Sequence, residues 1–174
     1  MNEQRIYKIR SARRDEVALL GEIEERANAL FAGIGMPEIA EGEAMPPSFV
    51  RSFFHGGMVH VAVDAQDVPV GFALAHFIDG NAHLYEISVD PAYGKQGIGA
   101  KLLGSVFDWA RRAGMAAVTL STFGDVPWNA PFYERHGFVR LPANDWTPGL
   151  YVLRLREEDG GLPVNRRCFM RKEL

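Results

Sequence analysis

Three glycines, Gly94, Gly97 and Gly99, stand between a strand-like run that ends at Val89 and a strongly helical run after it. The first N–H groups of a helix have no acceptor inside the helix and need one from elsewhere. No Ser, Thr, Asp or Asn lies between Gly94 and Gly99 to accept from them. A phosphate meets this need, because the helix dipole favours an anion and glycine allows close approach. The loop therefore predicts a phosphate-containing ligand.

Two common phosphate-binding motifs do not match this loop. A Walker loop ends in Gly-Lys-Ser or Gly-Lys-Thr, whereas this one ends in Gly97-Ile98-Gly99. A dinucleotide-binding fingerprint has the spacing G-x-G-x-x-G after the first strand of its fold. Here the spacing is reversed, and several strands come earlier. A tight turn without a ligand is the structural alternative, although three glycines ahead of an uncapped helix favour an anion.

The elements on either side of the loop are well marked. The run 83–89 has the pattern of a strand, and Asp90-Pro91 ends it, since proline cannot continue the ladder. After Gly99 the apolar positions recur with helical spacing, and polar residues lie opposite them. These apolar positions are Leu102, Leu103, Val106, Phe107, Ala110 and Ala113. Gly114 is expected to end the helix, so the loop joins a strand to the start of a long helix.

Patterns along the rest of the chain predict a mixed fold. Strands are predicted over 5–10, 58–63, 68–78, 117–121, 138–141 and 167–172, and helices over 17–31, 47–54, 128–136 and 147–160, with a loop over 32–47. This order, with one crossover helix, favours an α+β, three-layer fold with a mixed, mostly antiparallel central sheet flanked by helices. The length of 174 residues fits one domain over 1–174.

Composition narrows the class of protein. The formal charge of −3 gives no reason to expect a nucleic acid as partner, and no apolar run approaches the ~20 residues of a membrane span. Cys168 is the single cysteine, and the N-terminal residues lack the apolar core of a signal peptide. The histidines lack metal-ligand spacing, so we expect no metal. We expect a cytoplasmic protein that binds neither nucleic acid nor a membrane.

Two motifs together resemble the GNAT acetyltransferase superfamily. The first is VDPAYGKQGIGAKLL over 89–103, and the second is FYERHGF over 132–138, at the spacing that the family shows. The resemblance implies acetyl-CoA as co-substrate, with the loop around its pyrophosphate and the preceding strand along its pantetheine arm. The residues implied at the pyrophosphate are Lys95, Gln96, Gly97, Ile98, Gly99 and Ala100, and those along the pantetheine are Ile87, Ser88 and Val89.

The sequence departs from the family pattern at two places. The family usually has Arg or Gln three residues before the first motif glycine, where this chain has Gly94, so Lys95 or Gln96 would supply the side-chain contact. An asparagine usually stands about seven residues before the family's tyrosine, whereas Asn129 is closer to Tyr133 than that. We expect Asn129 first to cap the short helix that follows it, and otherwise to contact CoA.

Tyr133 is the residue that the resemblance implies as the general acid. Acetyl transfer from a thioester to an amine needs a base for the amine, a donor for the oxyanion and an acid for the leaving thiolate. The family's acid is a tyrosine in the helix before Gly-Phe, and Tyr133 matches it. A phenol with a pKa of ~10 stays protonated at neutral pH and can donate to a thiolate. The alternative is that Tyr133 only packs beside Phe132.

The base that deprotonates the amine is left open between residues of the strand 83–89. Glu86 lies on the strand that borders cofactor and acceptor, and a half-buried carboxylate can take up a proton. His83 suits the role equally well, with an ordinary pKa of ~6.5. Because strand side chains alternate, the two face opposite sides unless a bulge intervenes. Glu86 is nearer to Val89, where the thioester is expected, and is therefore favoured, with Asp125 as a third candidate.

The acceptor is expected to be a primary amine, and we favour a small-molecule amine. In the family the first two helices and their loop shape the acceptor pocket. That stretch combines apolar residues with acidic ones, namely Phe31, Met36, Phe53 and Phe54, and Glu38, Glu41 and Glu43. A protein lysine or N-terminus as acceptor, and an acyl-CoA sensor without catalysis, remain alternatives. The oligomeric state, including a homodimer, stays open.

Overall fold

The computed structural model describes residues 7–174, which form a seven-stranded sheet flanked by helices. The strands are β1 Lys8–Ser11, β2 Met58–Val63, β3 Pro69–Ile78, β4 Asn81–Val89, β5 Ala117–Phe123, β6 Val139–Arg140 and β7 Arg167–Glu173. The α-helices are α1 Val17–Asn28, α2 Pro37–Ala40, α3 Pro47–Ser52, α4 Ile98–Arg112, α5 Ala130–Arg135 and α6 Pro148–Asp159. Short 3-10 turns connect several of these elements.

The strand order in the sheet is β1-β2-β3-β4-β5-β7-β6. β2 pairs antiparallel with both β1 and β3. β4 and β5 pair parallel, with His83 opposite Thr119, and a parallel pair needs a crossover such as the segment that contains α4. β7 lies between β5 and β6 and is antiparallel to both. The predicted fold class, a mixed and mostly antiparallel sheet flanked by helices, is confirmed.

The described residues form two compact units. One comprises the chain up to Ala75 together with Glu86–Asp108, and the other comprises His76–Tyr85 and Trp109–Leu174. Large, fully buried side chains in the first unit are Leu20, Ile23, Met36, Phe72, Leu74, Ile98, Leu102 and Leu103. Those in the second unit are Leu120, Leu150, Phe169 and Met170. Each unit therefore has a hydrophobic core, and one domain over 1–174 stays a prediction.

The predicted first helix, over 17–31, is shorter in the structure. α1 ends at Asn28, and the chain continues as a 3-10 helix, Ala29–Ile34, which stops at Gly35 with φ 75°. Leu30 lies within the predicted helix, yet its side chain is 48% exposed, because the tighter 3-10 turn rotates it off the core face. The predicted loop over 32–47 contains a further short helix, α2, which begins at Pro37, a residue suited to a first turn.

Several elements begin and end where their patterns predict. β2 covers the predicted 58–63, and α4 begins at Ile98, next to its predicted start. The predicted C-terminal helix is present as α6. Residues 5 and 6 of the first predicted strand lie outside the described residues. Within the described chain, no helix combines the length and the apolar character needed to cross a membrane.

Candidate active site

The loop between β4 and α4 contains two residues with left-handed backbone. Lys95 has φ 58° and Gly97 has φ 75°, and the first value is uncommon for a residue with a side chain. The first hydrogen bond of α4 runs from Lys101 N–H to the carbonyl of Gly97, at 3.1 Å. The N–H groups of residues 98–100 therefore have no acceptor within the helix. Such N–H groups, after left-handed backbone and at a helix N-terminus, form an anion-binding concavity.

Gly97 is a position in this loop where backbone geometry favours glycine. A Cβ built on Gly97 meets no described atom within 4 Å, so crowding is not the reason. The reason is φ, because a β-branched residue held in the left-handed region costs of order 1–3 kcal/mol. The residue is exposed, and without a side chain its N–H can be approached closely by a phosphate.

Gly94 occupies the position where the family usually has Arg or Gln. Its N–H donates to the carbonyl of Pro91 at 3.0 Å, which closes a tight turn. A Cβ on Gly94 would stand 3.1 Å from that same carbonyl oxygen, so a side chain here would force the turn to open slightly. The departure from the family pattern therefore has a local steric reason.

Asp90 holds the start of the loop. Its Oδ1 accepts from Ala92 N–H at 2.9 Å, and its Oδ2 accepts from Arg26 Nε of α1 at 2.7 Å. Its own N–H donates to the carbonyl of Val70 on β3, also at 2.9 Å. One residue thus ties the loop both to β3 and to α1, which limits how the loop can move.

Tyr7, ahead of β1, holds the other end of the loop. Its hydroxyl donates to Oε1 of Gln96 at 2.7 Å, and its ring packs edge-on against Tyr93 with centroids 6.2 Å apart. The side chain of Gln96, which we expected to contact the ligand, thus has its carbonyl oxygen engaged within the protein. Sequence reasoning missed Tyr7, because the partners lie 89 positions apart and no local pattern connects them.

Glu86 and Ser88 lie in the C-terminal part of β4 and bond to each other. Oγ of Ser88 donates to Oε1 of Glu86 at 2.7 Å. Ser88 is buried and Glu86 is half-buried, and their spacing of two places both side chains on one face of the strand. The ladder between β4 and β5 ends at Leu84, and residues 86–89 continue beyond that ladder.

A second carboxylate, Glu24 of α1, interacts electrostatically with Glu86. Glu24 is 7% exposed, and its Oε2 accepts from Met45 N–H at 2.9 Å. Burial, reinforced by the negative charge of Glu86, raises the pKa of Glu24 to about 7. At neutral pH the two carboxyl groups together therefore carry less than two negative charges.

Sequence reasoning missed Glu24, although α1 carries a signal for it. The buried residues of this helix are Val17, Leu20, Ile23 and Glu24. A glutamate four residues after Leu20 falls on the apolar stripe, where a carboxylate is uncommon unless it is paired. Glu24 was missed because only apolar residues were used to identify the buried face of the helix.

His83 lies in the second unit, on β4, and is enclosed. It is 2% exposed, and its Nδ1 lies 2.8 Å from Oγ1 of Thr119 on β5. Its ring packs edge-on against Tyr85, with centroids 4.8 Å apart. Burial lowers the pKa of His83 to about 3, so the ring is neutral at physiological pH. An imidazole that holds a proton so weakly is a poor general base, which favours Glu86 between the two.

Tyr133 lies in α5 and is 7% exposed. Its ring packs edge-on against Phe132 and Phe138, with centroids 5.2 and 5.6 Å apart. Its carbonyl accepts from Phe138 N–H at 3.1 Å, which closes the helix. These contacts hold the ring firmly, and the acid role of the hydroxyl stays a prediction.

Asn129 stands at the N-cap position of α5, but its side chain makes no capping hydrogen bond in the described chain. Its backbone carbonyl accepts from the N–H groups of Phe132 and Tyr133, at 2.8 and 3.2 Å. The expected capping role is therefore wrong. The reason is the backbone of Asn129, whose φ of −107° and ψ of −112° lie outside the extended region that capping residues adopt. Contact with CoA stays a prediction for this side chain.

Asp125, the third candidate base, is held in an ion pair. Its Oδ2 lies 2.9 Å from a terminal nitrogen of Arg166, and its side chain is 58% exposed. This ion pair occupies the carboxylate and gives no support to a role as base. Over residues 7–174, no group of three or more His, Cys, Asp or Glu side chains is placed to hold a metal ion.

The stretch expected to shape the acceptor pocket is only partly at the surface. Phe31, Met36 and Phe53 are buried in the core of the first unit, whereas Phe54 is half-buried. The three glutamates expected at the rim, Glu38, Glu41 and Glu43, are exposed. Three of these four apolar residues therefore belong to the core of the first unit.

The sequence model of the acetyltransferase (GNAT) family matches residues 23–138, which include both motifs. The chain belongs to this family. The resemblance carried by the two motifs is therefore confirmed.

One relative is S-(2-succino)cysteine N-acetyltransferase of Bacillus subtilis (strain 168), which is 33% identical over 81 residues. The alignment covers 45% of this chain and 49% of that protein, so the chain spans about half the length of the relative it matches. Similar solved structures are a GNAT family acetyltransferase of Staphylococcus aureus Mu50 and the PaiA N-acetyltransferase of Thermoplasma acidophilum in complex with coenzyme A. Both are 18% identical and match over 97% of this chain and 99% of theirs, with TM-scores of 0.74 and 0.67. These likenesses show a shared fold.

Proposed function

We propose that this protein transfers the acetyl group of acetyl-CoA to the primary amine of a small molecule. The observation that carries the proposal is the loop before α4. There, left-handed backbone at Lys95 and Gly97 precedes a first helical turn whose N–H groups have no acceptor in the helix. A pyrophosphate suits this loop, because its two phosphates need several donors and a favourable dipole.

The residues of the loop fit the pyrophosphate of CoA. Gly97 is exposed, and around its Cβ position there is open space among the described atoms. Lys95 is also exposed and adds a positive charge next to the helix N-terminus. In this proposal residues 95–100 hold the pyrophosphate, and the backbone of residues 87–89, beyond the ladder with β5, pairs with the pantetheine arm.

Two side chains move protons in the proposed reaction. Glu86 takes a proton from the acceptor ammonium, directly or through one water, and leaves a neutral amine. The amine nitrogen bonds to the thioester carbon, and the carbon–sulfur bond then breaks. Tyr133 donates its hydroxyl proton to the leaving thiolate, and the second proton lost by the nitrogen restores the tyrosine through solvent. Glu86 releases its own proton to solvent, and no acetyl-enzyme forms.

A small-molecule acceptor is supported by the relative from Bacillus subtilis. That protein is named for the N-acetylation of S-(2-succino)cysteine, a derivative of a single amino acid. The likeness extends over 45% of this chain, so we carry over only the class of acceptor, a small amine.

The test is turnover of acetyl-CoA with a panel of amines that includes S-(2-succino)cysteine, free amino acids, alkylamines and a lysine peptide. We expect thiol release that depends on a small amine, together with a product heavier by one acetyl group. Transfer only to the peptide would indicate that the acceptor is a protein. Binding of acetyl-CoA without transfer to any amine would favour the sensor, and no binding at all would overturn the proposal. Light scattering on the same sample measures whether the protein is a homodimer.

A further inference from the structure

A cavity of about 290 Å³ lies within the second unit, lined by the ends of β3 and β4, by β5 and β7, and by the chain that leads into α6. Thr119 and Leu150 are buried, at 3% and 1% exposure, whereas Asp145 is exposed and Arg171 is half-buried. The cavity is therefore open to solvent on the side of these two charged residues. The residues proposed to hold CoA or to move protons are not among those that line it.

The turn between β3 and β4 forms one wall of the cavity and is fixed to the start of α6. Asp79 and Gly80 have φ of 49° and 78°, the left-handed backbone of a two-residue hairpin turn. Oδ2 of Asp79 accepts from Gly149 N–H in the first turn of α6, at 2.7 Å. A Cβ on Gly149 would stand 2.5 Å from Cγ2 of Ile78, so strand and helix are in close contact here.

The chain between β6 and α6 forms a second wall and is also held by hydrogen bonds. Leu141 N–H donates to the carbonyl of Phe169 on β7 at 2.8 Å. The ring nitrogen of Trp146 donates to the carbonyl of Leu141 at 3.1 Å, and the hydroxyl of Tyr151 donates to the carbonyl of Ala143 at 3.0 Å. Because both walls are held in place by the protein itself, a ligand would not have to order them when it binds.

Arg171 supplies a positive charge to the cavity. It lies on β7 opposite Thr119 of β5. Its Nε and Nη2 donate to the carboxylate of Glu173, at 2.6 and 3.3 Å, and its Nη1 takes no part in these bonds. The side chain of Glu173 is 70% exposed, and such a surface ion pair contributes little. A ligand carboxylate would therefore find a guanidinium that can still donate to it.

The chain at the start of α6 supplies a negative charge and a hydroxyl. Asp145 brings the negative charge, so the charged residues of the lining are one of each sign. The side chain of Thr147 makes no capping hydrogen bond to α6 in the described chain, which leaves its hydroxyl for a ligand. Ile78, Leu141 and Leu150 give the lining an apolar part. Apolar walls with a few polar groups are typical of small-molecule sites.

We propose that this cavity binds a free α-amino acid with an aliphatic side chain. The zwitterion has one charge of each sign, as the lining has, with its carboxylate toward Arg171 and Thr147 and its ammonium toward Asp145. The aliphatic side chain lies against the apolar part of the lining. A volume of about 290 Å³ corresponds to about ten water molecules of ~30 Å³ each, which suits an amino acid the size of leucine. This site goes beyond the proposed function, since the amino acid is bound here and not acetylated.

Calorimetry without acetyl-CoA tests the class of ligand. The probes are L-leucine, leucine methyl ester, which lacks the carboxylate, and 4-methylpentanoate, which lacks the ammonium. We expect L-leucine to bind with a Kd below about 1 mM and each of the other two to bind at least about tenfold more weakly. No binding of L-leucine at about 20 mM would overturn the proposal. Equal binding of 4-methylpentanoate or of the ester would also overturn it, because one charge would then suffice.

Variants of the two charged residues test the place of binding. Arg171→Gln and Asp145→Asn should each raise the Kd for L-leucine about ten- to hundredfold, since each removes a charge-assisted hydrogen bond. Arg166→Gln and Asp159→Asn make the same changes in the same unit outside the lining and should leave the Kd unchanged. L-leucine should raise the melting temperature of the wild type and of both controls by mass action, while unliganded melting curves check that all four variants fold.

An unchanged Kd in both Arg171→Gln and Asp145→Asn would show that L-leucine binds elsewhere, for example as an acceptor, and would overturn the proposal. The outcome is separate from that of the proposed function, because no acetyl-CoA is present and no transfer is measured. A protein that acetylates no amine but binds L-leucine through Arg171 and Asp145 would keep this site and lose the proposed function.

Discussion

Tyr7 and Gln96 are joined by a hydrogen bond of 2.7 Å although they lie 89 positions apart in the chain. The bond fastens the end of the glycine loop, and Asp90 fastens its start through Ala92 and Arg26. A loop that is held in shape before a ligand arrives loses less conformational entropy when it binds. Tyr7 should therefore contribute to CoA affinity without touching CoA.

Replacing Tyr7 by Phe removes one hydrogen bond and keeps the ring against Tyr93. Because such a bond contributes about 0.5–1.5 kcal/mol, we expect the Kd for acetyl-CoA to rise about two- to tenfold, with kcat nearly unchanged. Calorimetry measures the Kd. Tyr151→Phe is the matched control, since it removes the bond from the Tyr151 hydroxyl to the carbonyl of Ala143 in the second unit. Equal affinity in the two variants would count against a role for Tyr7 in shaping the loop.

Gly97→Val should abolish CoA binding and leave a folded protein. The substitution forces a β-branched residue into left-handed backbone and places its side chain at the predicted pyrophosphate site. Gly80→Val is the control. Gly80 has φ 78°, is exposed and lies in the turn between β3 and β4, so the strain is similar but the loop is untouched. Both variants should lose of order 1–3 kcal/mol of stability, and only Gly97→Val should lose affinity. If Gly97→Val still bound CoA, the loop would not be part of the CoA site.

Tyr133→Phe should lower kcat about 10²- to 10⁴-fold, the usual contribution of a general acid. The ring keeps its contacts with Phe132 and Phe138, so the melting temperature and the Kd for acetyl-CoA should change little. Steady-state kinetics and calorimetry on the same preparation separate the two effects. An unchanged kcat with the best acceptor would reduce Tyr133 to a packing residue.

His83 should make the protein less stable in acid. Folding lowers the pKa of His83 from about 6.5 to about 3, so the unfolded chain binds more protons between these values and stability falls as pH falls below 6.5. From about pH 7.5 to about pH 5, the free energy of unfolding of the wild type should drop by about 2 kcal/mol relative to His83→Gln, which does not titrate. Glu24 acts with the opposite sign, so His83 is compared with its own variant. If the free energies of unfolding of the wild type and His83→Gln changed with pH in parallel, folding would not lower the pKa of His83 and the prediction would be wrong.

Features that depend on residues close together in the sequence could be predicted from it. The strand-like run 58–63 predicted β2, and the apolar stripe after Gly99 predicted α4, because each pattern lies within one element. The glycine loop was predicted for the same reason, since an uncapped helix start is a local fact. The 3-10 continuation of α1 was not predicted, because the apolar spacing cannot show where the helix tightens.

The sequence by itself determined the order of the strands and of the α-helices other than α2, the glycine loop and the two motifs that define the family. Only the tertiary structure decided which distant residues meet and which are enclosed. Position along the strand favours Glu86 over His83 only narrowly as the base, and burial in the fold leaves His83 2% exposed and lowers its pKa to about 3. Glu24 lies on α1 and Glu86 lies on β4, far apart in the chain. Only tertiary packing lets the charge of Glu86 raise the pKa of Glu24. Both outcomes depend on desolvation and on long-range contacts, which the spacing of residues along a chain does not encode.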